Sequence, residues 1–412
     1  MTTAIDEVTD ECTTALDIVA GVDTHADTHH VAVLDVAGRR LGDRQILATA
    51  AGYERLLTYL ESFGNIRLGG IEGNSSYGAG LARHLRTQQV DIREIIRPRR
   101  SQRRRGKSDP IDAYAAAQQA LAEPESLPRA KTGDGLVEQI RVLLTFRPSA
   151  IKARVAVIRQ IKSLLVTAPE AIRMRWTGSS EHRVLEELAA TRPGVPTASV
   201  DAATGHALWR LARRYRYLTS EIDELEEDLR ELVGKAAPAM IATKGYGVIT
   251  TATLLVTAGS NPERLRSEAS FAALCGASPI PASSGKTNRF RLNRGGDRQA
   301  NWALHQIALV RLSNDPRTKD YSARLRANGK SKKDVLRCLK RAIAREAFHL
   351  LVRPEPVPAT DDLRDLRQRR GVTLVRAAMS IGAEPTRLSE LERGRRPNAE
   401  LTAAYRAWLT AS

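Results

Sequence analysis

An α/β domain followed by mainly helical domains, in one multidomain chain, is the fold class that three observations predict. Short apolar runs separated by turn signals fill residues 18–47. Apolar patterns of helical and extended spacing then alternate up to residue 112, and long charged stretches with apolar residues three and four apart follow from about 120. The 412 residues suffice for roughly two to four domains with real cores, and the 42% hydrophobic content is ordinary for a globular protein.

In chain order, Ile18–Val22, His30–Leu34 and, after Gly38, Leu41–Leu47 predict three strands of a meander. Tyr53, Leu56, Leu57 and Leu60 place one apolar face on a helix over 50–63, and a strand at 66–72, a helix at about 77–88 and a strand at 90–96 follow. Ser108-Asp109-Pro110-Ile111-Asp112 reads as a helix start with proline in the first turn. Three hairpin-linked strands followed by alternating helices and strands is the order of a ribonuclease H-like domain, in which the first strand, the fourth strand and a later helix carry metal ligands.

The acids fall where that order needs them. Asp23 ends the first apolar run, Glu72 ends the run Ile66–Glu72, and Asp109 and Asp112 share one face of a first helical turn. Two strand ends beside a helix start would gather all four into one pocket, suited to divalent metal and phosphodiester chemistry. Taken alone, Asp109 as a cap and Asp112 answering the helix dipole explain the Asp-Pro pair. The preceding run changes that weighting, because Arg97, Arg99, Arg100, Arg103, Arg104, Arg105 and Lys107 beside an acid cluster make sense where phosphates arrive with metal. A solvated face is the ordinary reading of such a run by itself. His25, Asp27, His29 and His30 invite a zinc reading, but a polar turn explains them equally well and no second Cys/His cluster completes a tetrahedral set.

Composition points the same way. An excess of 64 Lys+Arg over 47 Asp+Glu gives a net charge of +17 and favours a polyanionic partner, with nucleic acid foremost. Aromatic residues make up 4%, so affinity leans on Arg and Lys rather than on base stacking. Cys12, Cys275 and Cys338 supply no disulfide framework and no C-x-x-C pair, residues 1–17 are acidic and polar, and no apolar run has membrane-spanning length. A cytoplasmic, nucleoid-associated protein is expected.

Three segments carry a family resemblance: Gly21-Val22-Asp23-Thr24-His25, Gly70-Ile71-Glu72-Gly73-Asn74-Ser75 and Arg103-Arg104-Arg105-Gly106-Lys107-Ser108-Asp109-Pro110-Ile111-Asp112. In order and spacing they resemble the three acidic motifs of the DEDD transposases of IS110 insertion sequences. Phe271-Ala272-Ala273-Leu274-Cys275-Gly276 through Ser283-Ser284-Gly285-Lys286-Thr287 resembles that family's C-terminal transposase domain, so the likeness covers most of residues 18–352. The resemblance implies an RNase H/RuvC-like domain with Asp23, Glu72, Asp109 and Asp112 holding Mg²⁺, with Mn²⁺ as a substitute. It also implies a serine nucleophile from the second domain, a bridge RNA that pairs with donor and target DNA, and a homo-oligomer, dimer or tetramer. The family serine stands immediately before the loop glycine, which assigns it to Ser284, with Ser283 as the neighbouring alternative.

The residues set these expectations out along the chain: a disordered tail over 1–17, the catalytic domain over 18–120, a helical region over 121–240, the serine-loop domain over 241–352, a proline-rich linker over 353–362 and a last domain over 363–412. Leu218, Ile222, Leu225, Leu229 and Leu232 form a stripe that serves either a core helix or a short coiled coil joining protomers, and the family's use of helices in assembly favours dimerisation. Lys244-Gly245-Tyr246-Gly247 has the glycine spacing of a helix-hairpin-helix turn whose bare amides approach phosphate. The serine loop is followed by Lys286, Arg289, Arg291 and Arg294, cations suited to a phosphate, and Ile280 in place of glycine excludes a P-loop. Residues 363–394 resemble a Cro-like helix-turn-helix domain, with Arg387 and Ser389 near the start of the recognition helix. Two other function classes stand beside the transposase: a RuvC-like nuclease, which needs the acids without the serine, and a helix-turn-helix regulator, which needs only the last domain.

Overall fold

The structure, a computed structural model, describes residues 16–74, 76–95, 108–281, 290–291, 293, 295–395 and 397–411. Arg99, Arg100, Arg103, Arg104, Arg105, Lys107, Ser283, Ser284, Lys286, Arg289 and Arg294 lie outside the described residues, as does residues 1–15 of the expected tail. Arg291 is described by its backbone alone. The chain forms two compact units, the first Met1–Gly133 with Glu263–Leu265, the second Asp134–Pro262 with Arg266–Ser412.

The first unit is built on strands β1 (Asp17–Thr24), β2 (Thr28–Asp35), β3 (Arg40–Leu47), β4 (Asn65–Glu72) and β5 (Ile92–Ile95), interleaved with helices α1 (Ala50–Glu61), α2 (Ala79–Thr87) and α3 (Asp109–Ala122). The sheet order is β3-β2-β1-β4-β5. The β1–β2 and β2–β3 pairs are antiparallel, and β4 and β5 run parallel to β1. This is the mixed sheet that the element order predicts. Strand alternation divides β1 between two cores. Ile18, Ala20 and Val22 pack with Leu56, Leu60, Leu81 and Leu85 of α1 and α2. Val19 turns the other way and joins Leu68, Ile95, Ala116 and Ala120 beneath α3.

The second unit is helical. Its frame is α4 (Gly135–Thr167) and α7 (Val200–Ala236), which pack along each other in antiparallel sense. Arg147 of α4 donates to Glu226 of α7 at 2.9 Å, while Val157 and Ile161 meet Leu208 and Ala212 further along. Leu218, Ile222, Leu225 and Leu229 are 8%, 3%, 6% and 0% exposed within the single chain. Within the single chain that stripe lies in the core, packed against the chain's own helices.

Helices α5 (Glu170–Trp176), α6 (Glu181–Ala190), α8 (Pro238–Ala242), α9 (Val248–Ala258), α10 (Glu268–Leu274), α11 (Arg298–Asn314), α12 (Pro316–Ala327) and α13 (Lys332–Val352) complete the body, with the short pair β6 (Ile280–Pro281) and β7 (Phe290–Arg291). The Lys244–Gly247 turn enters α9 differently from a phosphate-binding hairpin. Its Gly247 amide donates to Thr250 Oγ1 at 3.0 Å, the Lys244 carbonyl accepts from Arg311 at 2.8 Å, and Tyr246 is buried. The turn's polar groups serve packing.

Four short helices end the chain: α14 (Leu363–Arg369), α15 (Leu374–Ser380), α16 (Pro385–Glu392) and α17 (Ala399–Thr410). They enclose a core of Leu363, Ala377, Ala378, Leu388, Leu391 and Tyr405. Arg387 and Ser389 lie in α16, both half-buried, with Arg387 3.5 Å from Glu390. No helix among the described residues is long and apolar enough to cross a membrane.

Candidate metal centre

Three elements of the first unit converge on the predicted acids. Asp23 stands one residue from the end of β1, and Glu72 ends the parallel neighbour β4, one residue beyond the Val22↔Ile71 pair. Thr24 ties the two strand ends together by donating its hydroxyl to the Glu72 carbonyl at 2.8 Å. Alternation from Val19 and Leu68, both beneath α3, puts Gly21 and Asp23 on the α3 face of β1, and Gly70 and Glu72 on the same face of β4.

The glycines two residues before each acid explain how the helix start reaches that face. A Cβ on Gly21 would lie 2.1 Å from the Ala117 nitrogen and 2.3 Å from the Ala113 carbonyl oxygen. A Cβ on Gly70 would meet Ala120 Cβ at 2.9 Å and the Ala116 carbonyl oxygen at 3.0 Å. Only bare backbone lets α3 lie this low on the strands. The repeated Gly-x-acid spacing was visible in the sequence, but its use as a helix seat appears only once the sheet and α3 are packed.

The first turn of α3 then presents Asp109 beside Asp23. His25 bridges them, with Nε2 3.2 Å from Asp23 Oδ2 and 3.4 Å from Asp109 Oδ1. Ligand atoms of Asp23, His25 and Asp109 all lie within 4.8 Å of one another. Asp23 is buried at 3% exposure, whereas Asp109 and His25 open to solvent, so the group is floored by protein and accessible from one side. Glu72 and Asp112 stand outside that closest group, Glu72 on the adjoining strand end and Asp112 one turn into α3. Asp112 Oδ2 is buried and accepts no hydrogen bond among the described residues.

The other histidines of the turn do different work. His29 is fully buried, stacks on Tyr53 with ring centroids 5.8 Å apart, and is held below the ordinary histidine range by burial. His30 bonds Asp43 at 2.7 Å. Only His25 of the four zinc-like residues approaches the acids, and the tetrahedral reading finds no further histidine or cysteine there among the described residues.

A buried Asp23 carboxylate and a solvent-facing Asp109 carboxylate brought together repel each other unless a positive charge intervenes, and a buried carboxylate oxygen without a hydrogen bond is costly to maintain. Hard oxygen donors match Mg²⁺ or Mn²⁺, and the single imidazole is compatible with Mn²⁺. The residues fit a divalent cation.

Comparison with known proteins supports the same end. Residues 20–168 match the DEDD transposase family of IS110, described as Transposase, and residues 239–323 match the Transposase IS116/IS110/IS902 family. Over 370 residues, 78% of this chain and 92% of the relative, the sequence is 24% identical to the insertion element IS900 uncharacterized 42 kDa protein of Mycobacterium paratuberculosis. Over 169 residues, 40% of each chain, it is 29% identical to the insertion element IS110 uncharacterized 43.6 kDa protein of Streptomyces coelicolor.

Proposed function

The chain is an insertion-sequence transposase of the IS110 family, and from that premise we propose that it cuts and rejoins DNA through a metal site and a phosphoserine intermediate. Asp23, Glu72, Asp109 and Asp112 hold the metal, Mg²⁺ with Mn²⁺ as substitute. The observation that carries this is the approach of Asp23 and Asp109, 86 residues apart in the chain and brought within reach of one His25 nitrogen. When bound, the cation supplies Lewis-acid polarisation of a phosphoryl oxygen.

The chain's own residues do the rest. Buried Asp23 is the fixed anchor, Asp109 at the helix start is the solvent-facing ligand, and His25 holds the two carboxylates in register. Ser284, the residue before the loop glycine, is the nucleophile, with Ser283 its neighbour in the same loop. Its Oγ forms a bond to phosphorus as one P–O bond of the DNA backbone breaks, and the hydroxyl proton ends on the departing DNA oxygen. A hydroxyl of the new partner strand then attacks the phosphoserine and releases the serine, so the number of phosphodiester bonds is conserved without ATP. The basic run Arg99–Lys107 and the serine-loop cations Lys286, Arg289, Arg291 and Arg294 neutralise phosphates, and a bridge-type RNA selects donor and target. A homo-oligomer carries the reaction in the cytoplasm at the nucleoid, and the helices over 363–412, read as a Cro-like helix-turn-helix with Arg387 and Ser389 toward DNA, dock the enzyme.

The test is covalent trapping. Protein, cognate RNA and donor and target DNA are incubated with Mg²⁺ and denatured, and protein-linked DNA is sought in wild type, Ser283→Ala and Ser284→Ala. Linked DNA lost only in Ser284→Ala is expected. Cleavage without linkage in any variant overturns the serine route in favour of metal-activated water.

A further inference from the structure

A cleft of about 680 Å³ opens in the second unit. It is lined on one side by Gly276–Pro279 with Asn293 and on the other by α13, with Tyr321 of α12. Helical spacing gathers Arg337, Lys340, Arg341 and Arg345 along the cleft, with Lys330 at one end, against the single lining carboxylate of Asp334. The opposite face of α13, Val335, Leu339, Ile343 and Ala347, is buried, so the helix is fixed with its cations outward.

The first wall is stapled. Asn293 donates to the Ala273 carbonyl at 3.1 Å, and the Asp297 amide donates to the Leu274 carbonyl at 2.7 Å. Asn301 donates to the carbonyls of Cys275 and Gly276 at 2.9 and 3.0 Å and, through its own Oδ1, accepts from Lys340 Nζ at 2.8 Å. Lys340 is thereby positioned by the same backbone that leads into the serine segment in sequence. No carboxylate pairs with Lys340 among the described residues, whereas Arg337 has Asp334 at 2.7 Å and Arg345 has Glu268 at 3.2 Å. Burial, and then the neighbouring Arg337, hold the lysine below its ordinary range, the state of a cation short of negative charge.

We propose that this cleft is a DNA-backbone site in which Lys340 and Arg337 grip a phosphate of the strand being exchanged. The inference deepens the serine-recombinase reading and rests on it for the choice of DNA over RNA, since Gly276–Pro279 precede Ser283 and Ser284 closely in sequence. The site takes a phosphodiester rather than a base, because its lining is rich in cations that neutralise phosphate.

Two measurements on the full chain test it. Anisotropy of a labelled random-sequence duplex is followed across a KCl series in EDTA, which removes any contribution of the metal centre. Each phosphate no longer neutralised lowers the slope of log K against log[KCl] by about 0.9, so the double variant Arg337→Gln/Lys340→Gln, which releases the one phosphate both residues hold, should lose about 0.9 from the slope. Lys340→Arg should retain the wild-type slope, and an unchanged thermal transition shows that the variants fold. In the second measurement, Cys338, which lines the cleft, is labelled with azidophenacyl bromide in Cys12→Ser protein, Cys275 being buried. Illumination with equal amounts of labelled duplex DNA and an RNA hairpin should give a DNA adduct. A mainly RNA adduct overturns the assignment to DNA, and an unchanged slope with no DNA adduct overturns the site. Failure of covalent trapping at Ser284 with a reduced slope here would remove the serine mechanism and leave the cleft standing.

Discussion

Adding one methyl group at Gly21 should dismantle the metal centre without touching a ligand. In Gly21→Ala the new Cβ meets the Ala117 nitrogen at 2.1 Å, and ordinary contact begins at 3.4 Å, so α3 must retreat by about 1.3 Å. The atoms it meets are helix backbone, which no rotamer change relieves. Overpacking of this kind costs about 1–3 kcal/mol. At about 2–4 °C per kcal/mol the melting temperature of the first unit should fall by up to roughly 10 °C. The functional loss is larger, because α3 carries Asp109, now 3.4 Å from the His25 nitrogen that also contacts Asp23. A misplacement of about 1 Å at a reacting centre costs on the order of 100-fold. The control is Gly69→Ala on the neighbouring strand β4, where the Cβ points to the face opposite α3 and meets nothing closer than 3.8 Å. Scanning calorimetry reads the stability, titration calorimetry with Mn²⁺ reads the site, and cleavage of donor DNA reads the activity. Wild-type values for Gly21→Ala in all three, or equal losses for Gly69→Ala, would refute the helix-seat argument.

Other expectations are as definite. Asp23→Asn should abolish cleavage while sparing nucleic-acid binding in a filter assay, and unchanged strand transfer would remove Asp23 from the metal set. Leu229→Ala should destabilise the chain by about 2–5 kcal/mol with no change in oligomeric state by sedimentation, because Leu229 is fully buried within one chain; dissociation at unchanged stability would restore the interface reading. In the C-terminal helices burial raises the Glu392 carboxyl, but the hydrogen bonds from Arg367 and Tyr405 outweigh it and hold the group below its usual range. The folded value lies beneath the unfolded one, so this stability is present above the ordinary glutamate range and is lost as the pH falls through the folded value. Glu392→Gln should lower the melting temperature at neutral pH and flatten its acid dependence, as followed by circular dichroism, since breaking a buried pair costs about 3–5 kcal/mol.

The strands, the helices and the positions of the four acids were legible in the sequence because each depends on neighbours. Alternation over Ile18–Asp23 and Ile66–Glu72 marks strands, and Ser108-Asp109-Pro110 marks a helix start, whatever the rest of the chain does. The stripe at Leu218–Leu229 was equally visible, yet its partner was not, since an apolar face looks the same whether it meets α4 of its own chain or another copy. The glycine turn before α9 is a related case: its spacing is local, but the Thr250 hydroxyl and Arg311 that meet its Gly247 amide and Lys244 carbonyl are decided by packing.

What the sequence by itself determined is the order of elements, the excess positive charge and the placing of an acid at two strand ends and one helix start. Only the tertiary structure decided that Asp23 meets Asp109 across His25, that Gly21 and Gly70 seat α3, and that Lys340 of α13 is tied to the Cys275–Gly276 backbone through Asn301. The first set follows from periodicities of two and 3.6 residues, which a chain carries in every short window. The second depends on contacts between residues tens of positions apart, whose geometry arises only when sheet and helices pack at close range and steric exclusion leaves one depth at which the helix can lie.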